Sequence, residues 1–273
     1  MKGVFDKPRG AGAAWSRMEP LVPTAFYTFI ALHIAFGSVG LVAFWVPVSG
    51  RKGGDAHKRW GKVFTWTMLA TGTAAIGISL CTLIDPIGTH PHLVEAGPQW
   101  IRGIFGWMMQ GLAILTLNLA WYGWLTVRHK DDRAAQREWR NLALQALLIA
   151  ASVNCIVQAW LADLPLMLGM PAIGLATAAT NLWFLYHPDP GPLMWLKEHL
   201  KALVGAGISV YTAFFAFGAV RTIPELALHP GLWAIPLVVG LAIIIHQRLA
   251  VARLPAARRP ARAADGADAA SRA

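Results

Sequence analysis

Charged residues are absent from seven long stretches of this chain, and this pattern constrains the fold more than any other feature. Each stretch has about 19 residues or more, which lets a helix cross a hydrocarbon core of ~30 Å. The stretches are 20–50, 63–84, 103–127, 141–162, 164–188, 202–220 and 226–247. In lipid the backbone must satisfy its own hydrogen bonds, so these stretches are helices or barrel strands. They lack the alternation of barrel strands, and helices are therefore predicted.

The predicted fold class is an all-α, polytopic membrane helix bundle with seven transmembrane helices. We expect an N-terminal tail at 1–21, a seven-helix transmembrane domain at 22–252, and a basic, disordered tail at 253–273. The predicted helices span about 22–46, 60–84, 100–127, 140–161, 164–186, 201–220 and 231–251. Segment 191–201 is amphipathic, and we expect it to lie along the membrane interface before the sixth helix.

Basic residues fall mainly in alternate connections, which predicts the orientation. Most of the 24 Lys and Arg residues lie in the first, third and fifth loops and in the C-terminal tail. Short loops rich in Lys and Arg stay in the cytoplasm. We therefore expect an N-terminus outside and a cytoplasmic C-terminus in the bacterial inner (plasma) membrane, although the N-terminal tail also carries four basic residues.

Composition excludes several classes of protein. Charged residues make up 14% of the chain, against roughly 25% in soluble domains, which excludes a disordered chain, a coiled coil and an ordinary cytosolic enzyme. The net charge of +10 is explained by topology and by attraction to anionic lipid rather than by nucleic-acid binding. No Cys-x-x-Cys spacing, covalent haem attachment motif or phosphate-binding loop is present.

Histidines are the candidate site residues, since no Asp, Glu, Lys or Arg lies deep in a predicted helix. His33 lies near the centre of the first helix, and His246 lies in the inner half of the seventh. His57 and His199 lie at matching depth, just before the second and sixth helices. A haem with two axial imidazoles needs His residues at comparable depth on facing helices. Two pairs, His57 with His199 and His33 with His246, would form an electron path across the membrane.

The same four histidines have other interpretations. They could hold a single metal at the inner face, line a quinone or substrate cavity, or form hydrogen bonds that stabilise the bundle. Amides and hydroxyls within the helices either bond neighbouring helices or line a cavity. These residues are Gln110, Asn118, Asn154, Gln158, Thr177, Thr180 and Asn181.

Three short motifs resemble those of a bacterial family of multi-pass membrane proteins of unknown function. They are His33-x3-Gly37, then Lys52-Gly53-Gly54-x2-His57-Lys58-x2-Gly61-Lys62, and Trp195-x3-His199. Lys58 and Lys62 replace the arginines of the family pattern, which keeps the charge but weakens bidentate anion binding. The resemblance marks His33, His57, Gly61 and His199 as motif positions and implies no reaction. The layout of histidines is also loosely similar to that of two-haem membrane cytochromes of the b type.

The leading functional hypothesis is a membrane-embedded redox protein in which the four histidines bind haem b or line a quinone site. The alternatives are a small-molecule transporter or binding protein, with the amides and His33 lining a cavity, and a non-catalytic assembly partner in the membrane. The sequence leaves open whether the chain is an enzyme and what its oligomeric state is.

Overall fold

The computed structural model describes residues 21–130, 132–191, 193–218 and 229–253. Within these ranges the chain is helical without strands, and seven helices are long and apolar enough to cross a membrane. They are α1 (Leu21–Ser49), α2 (Asp55–Ile84), α3 (Pro98–His129), α4 (Trp139–Leu161), α5 (Gly169–Tyr186), α6 (Met194–Ala213) and α7 (Pro230–Ala252). The all-α prediction and the seven helices are confirmed. The predicted tails lie almost wholly outside the described residues.

Short helices join the long ones. Pro86–Thr89 and the 3-10 turn Pro91–Ala96 connect α2 to α3, Arg133–Gln136 precedes α4, and the 3-10 turn Pro165–Leu168 precedes α5. A π-helical turn, Arg102–Met108, lies near the start of α3, and a second one, Phe214–Gly218, follows α6.

Two helices begin earlier than the hydropathy predicts. α2 begins at Asp55, and α6 begins at Met194, so the segment expected along the interface is the first part of α6. Glu198 and Ala202, one turn apart in α6, are both buried against the bundle. This burial explains why the helix extends through the charged residues that made the segment look interfacial.

α3 is the central helix of the bundle. It packs against α2, α4 and α6, and it is the most deeply buried of the seven, whereas α7 packs mainly on α6 and is the most exposed. Close approach of α6 to α3 depends on Gly123, because a Cβ atom there would lie 2.8 Å from Cδ2 of Leu203 and 3.0 Å from Cβ of Ala202. Small residues permit such contacts between membrane helices.

Consecutive helices run antiparallel, so the connections lie at two ends of the bundle. We call the end formed by residues 50–54, 132–138 and 187–191 the basic end, because it carries Arg51, Lys52, Arg133 and Arg137. The opposite end is formed by residues 85–97 and 162–168. Large apolar side chains such as Val42 and Ile245 are exposed between the two ends, as expected of surfaces in contact with lipid.

Candidate functional site

His57 lies in the first turn of α2, at the basic end. Its Nδ1 atom lies 3.2 Å from the carbonyl oxygen of Pro47 in the last turn of α1. The final four carbonyl groups of a helix have no partner within that helix, and Lys52 Nζ also donates to Pro47 O, at 2.9 Å. His57 therefore caps the end of the preceding helix, and this contact fixes the orientation of its ring.

His199 lies in the second turn of α6, and its ring reaches across to α3. Its Nδ1 atom lies 2.8 Å from the carbonyl oxygen of Gly123. The glycine lets the two backbones come close enough for this contact, so the packing of α6 on α3 positions the imidazole.

His33 lies deeper, half-buried in the middle of α1. Its Nδ1 atom lies 3.1 Å from the carbonyl oxygen of Thr71 in α2. The contact joins the two helices one turn from the close approach of Gly37 to Thr71, where a Cβ atom would lie 3.6 Å from the threonine methyl group.

These three histidines share one hydrogen-bonding geometry. A backbone carbonyl only accepts hydrogen bonds, so Nδ1 must carry the proton in each ring, and Nε2 is left with its lone pair in the neutral imidazole. None of these Nε2 atoms has a hydrogen-bond partner among the described residues. Imidazoles that bind metals are oriented in this way, with Nδ1–H held by a carbonyl or a carboxylate.

Of the two predicted pairs, His57 and His199 both lie at the basic end of the bundle. Each holds its Nδ1 atom against a backbone carbonyl, and no hydrogen bond or ring contact joins the two imidazoles among the described residues. His246 lies on an exposed face of α7, and no described residue forms a hydrogen bond with its ring. Because His246 lies on the exposed side of α7, it does not pair with His33 inside the bundle.

A buried ionic cluster lies beside His199, and the sequence analysis missed it. Glu198, 2% exposed, forms an ion pair with Lys201 and accepts a hydrogen bond of 2.9 Å from Tyr122 Oη. Lys201 Nζ also donates to Thr180 Oγ1 at 3.1 Å. Glu198 lies four residues before Ala202 on the small-residue face of α6, and this spacing could have predicted its burial.

Five buried carboxamides form a chain from the basic end into the bundle. Gln136 Nε2 donates to Lys130 O at 2.7 Å, Asn141 Nδ2 to Gln136 O at 2.8 Å, and Gln145 Nε2 to Asn141 Oδ1 at 3.3 Å. Asn181 Nδ2 donates to both Gln145 Oε1 at 3.3 Å and Asn118 Oδ1 at 3.1 Å. The chain is composed of Gln136, Asn141, Gln145, Asn181 and Asn118.

The chain confirms the predicted interhelical hydrogen bonding for Asn118 and Asn181, which join α3 to α5. Asn118 Nδ2 and Asn181 Oδ1 are left without partners in the described part of the protein. Gln136, Asn141 and Gln145 were not predicted. Their signal in the sequence is the spacing of four and five residues, which places them along one side of α4 and the turn before it.

His90 and His92 lie at the opposite end, in the connection between α2 and α3. Their ring centroids are 6.0 Å apart, and the buried His90 ring stacks on Phe105 at 4.5 Å and meets Phe26 at 5.4 Å. Burial, with a smaller effect of the nearby His92, lowers the pKa of His90 to about 4. His90 is therefore a neutral packing residue at neutral pH.

The donor atoms at the basic end distinguish the kinds of metal site. The described residues contain no group of three or more His, Cys, Asp or Glu side chains that could hold a metal ion. A bare metal bound by His57 and His199 would therefore lack a third His, Cys, Asp or Glu ligand from the described residues, whereas haem needs only two axial imidazoles because the macrocycle supplies the other four donors. His57 and His199 are two imidazoles at the basic end, each with its Nδ1 atom against a backbone carbonyl.

Comparisons with protein-family models, with curated proteins and with solved structures find no significant match to this chain.

Proposed function

We propose that this chain is an integral membrane redox protein that binds one haem b at the basic end, with His57 and His199 as axial ligands. The observation that supports the proposal most is the shared geometry of these two rings, which lie at the same end of the bundle, each with its Nδ1 atom held by a backbone carbonyl. The haem would supply one-electron transfer through its iron.

The two imidazoles come from rigid elements, which suits them to a fixed metal geometry. His57 is held against the end of α1, and His199 is held against the centre of the α3–α6 contact. Hydrogen bonding at Nδ1 raises the basicity of Nε2 and holds the ring plane, and loss of such contacts typically costs 10–100-fold in metal affinity. The residues of this chain would thus orient the ligand atoms before the haem binds.

Basic side chains near His57 fit the propionate groups of a haem. Lys58 and Arg59 follow His57 in the first turn of α2 and are exposed. Their charges would attract carboxylates at the edge of the bundle. By the positive-inside rule, we propose that this end faces the cytoplasm of a bacterial cell and that the opposite end, with the N-terminus, lies outside.

Absorption spectroscopy of the detergent-purified chain, expressed with a haem precursor, tests this proposal. We expect a Soret band and about one haem per chain by pyridine haemochrome assay. His57→Ala and His199→Ala should each remove most of the bound haem, because a single imidazole remains. His246→Ala is the matched control, since this residue is exposed on α7 and should keep the haem.

Two results would contradict the proposal. One is a wild-type protein without a Soret band, and the other is equal haem loss in the His57, His199 and His246 variants. A stoichiometry of two haems per chain with loss of one in His33→Ala would restore the two-haem arrangement predicted from the sequence.

A small-molecule binding or transport function is the second candidate, and the buried carboxamide chain favours it. Buried polar atoms without partners are rare in proteins, and Asn118 Nδ2 and Asn181 Oδ1 lie at the inner end of this chain. A neutral polar solute would satisfy them, because no charged group lies in the chain. Thermal stabilisation by such a solute in a colourless wild-type protein, lost in Asn181→Leu, would favour this function over haem binding.

A further inference from the structure

A small cavity lies at the opposite end of the bundle, between the start of α3 and the end of α4. Its volume is about 70 Å³, and its polar lining includes Gln99, Arg102, Trp107 and Gln158. One water needs roughly 10–15 Å³ measured in this way, so the cavity accommodates a group of several heavy atoms. It is distant from His57 and His199, which lie at the basic end.

Arg102 is held in one orientation at this cavity. Its Nε atom donates to the carbonyl oxygen of Leu83 in α2 at 3.2 Å. The two terminal nitrogens of the guanidinium have no hydrogen-bond partner among the described residues. A fixed Nε leaves these two nitrogens as a planar pair of donors, the geometry that binds carboxylate and phosphate.

No carboxylate of the described residues neutralises Arg102. The ion pair found in these ranges is Lys201 with Glu198, at the other end of the molecule. Arg102 is half-buried, and a partly desolvated charge without a counter-ion is unfavourable. The position therefore favours an anion supplied from outside the chain.

The neighbouring groups can all donate hydrogen bonds to such an anion. Gln99 of α3, Trp107 of α3 and Gln158 of α4 line the cavity, and the side chain of each carries an N–H group. Arg102 also begins the π-helical turn Arg102–Met108, and π-helical turns are frequent at functional sites. The i→i+5 bonding of a π-helical turn brings residues five apart to one face, and Arg102 and Trp107, which have this spacing, both line the cavity.

We propose that this cavity is a binding site for a single oxyanion group, a carboxylate or a phosphate, with Arg102 as its principal ligand. Arg102 lies four residues from the start of α3, about 6 Å along the helix, which is the level of lipid headgroups. The oxyanion is therefore either the phosphate of a phospholipid or a small free anion from the adjoining aqueous phase.

Binding measurements on the full-length, delipidated protein in detergent distinguish these sources. Isothermal titration with sodium acetate and with inorganic phosphate tests the free anion, and native mass spectrometry with phosphatidylglycerol tests the lipid. We expect wild type to bind at least one of the three probes, and Arg102→Gln to weaken that binding tenfold or more. Arg102→Lys should retain part of it, because lysine keeps the charge and loses the planar pair of donors.

Arg140→Gln serves as the matched control, since this arginine is exposed at the start of α4, at the basic end. It should bind all three probes as wild type does. Gln158→Ala is a second variant, which leaves the Arg102–Leu83 hydrogen bond intact and keeps the test possible if Arg102→Gln fails to fold. We expect it to weaken binding threefold or more. The proposal would be overturned if the wild type bound none of the three probes. It would also be overturned if every folded variant among Arg102→Gln and Gln158→Ala bound the probes as tightly as the wild type does.

Discussion

Removing the Glu198 carboxylate should destabilise the bundle far more than an ordinary surface substitution. The Glu198 side chain is 3% exposed and that of its partner Lys201 is 18% exposed. Breaking a buried ion pair typically costs 3–5 kcal/mol, because the remaining charge is buried without compensation. Here Lys201 also donates to Thr180 and can bend toward the aqueous phase, so we place the cost of Glu198→Leu at about 3 kcal/mol.

The Tyr122 hydroxyl supplies an internal comparison. It donates to Glu198 at 2.9 Å, and Glu198→Gln keeps an oxygen that can accept this hydrogen bond. That variant loses the ionic interaction alone, and we expect a cost of about 1–2 kcal/mol. In Glu198→Leu the hydroxyl is also left without its acceptor, which explains the larger loss.

Unfolding by SDS titration in mixed micelles measures these differences. Lys201→Met and the double variant Glu198→Leu with Lys201→Met complete a double-mutant cycle, and we expect a coupling energy of roughly 1.5 kcal/mol or more. Lys62→Met, at an exposed position of α2, should change the free energy of unfolding by less than about 0.5 kcal/mol. A cost below 1 kcal/mol for Glu198→Leu, or strictly additive effects in the cycle, would refute a buried, coupled pair.

Two further predictions concern buried polar groups away from this pair. Asn181→Leu should lower the free energy of unfolding by about 1–3 kcal/mol, since it removes both hydrogen bonds that Asn181 donates to Asn118 and Gln145. SDS titration measures this change, and an unchanged unfolding midpoint would contradict a stabilising role of the carboxamide chain. Burial lowers the pKa of His90 to about 4, from an ordinary value near 6.5, so the unfolded chain takes up the proton first. The stability contributed by neutral His90 is thus complete above pH 6.5 and is lost as the pH falls toward 4, by at most about 3 kcal/mol. His90→Phe keeps the stacking on Phe105 and should flatten this part of the pH profile of thermal unfolding, whereas a profile parallel to wild type would show that the ring is solvated.

The histidines show how far a candidate site can be predicted from depth alone. Helical spacing predicted His57 and His199 at the same level, and in the structure both lie at the basic end. The same argument placed His33 and His246 at similar depths, but His246 is exposed. Depth follows from counting residues along a helix, whereas the direction of a side chain depends on how each helix is rotated against its neighbours.

Glu198 and the carboxamides show a different limit. A charged or amide side chain near a helix end is compatible with an interfacial position, and hydropathy cannot distinguish it from a buried one. Burial of Glu198 required a tyrosine on α3 and a lysine one turn along α6 to satisfy it. These partners come from distant parts of the chain, so their contribution exists only after the helices assemble.

The amino-acid sequence by itself determined that this protein is a seven-helix membrane bundle, because long uncharged segments without the alternation of barrel strands satisfy their backbone hydrogen bonds in lipid as helices. It also located the four histidines along those helices. Tertiary structure alone decided which backbone carbonyl orients each imidazole, which amides join α3 to α5, and which charge is buried at the basic end. Lipid makes every apolar helix face nearly equivalent, so the choice among faces depends on close packing and on interhelical hydrogen bonds between residues far apart in the chain.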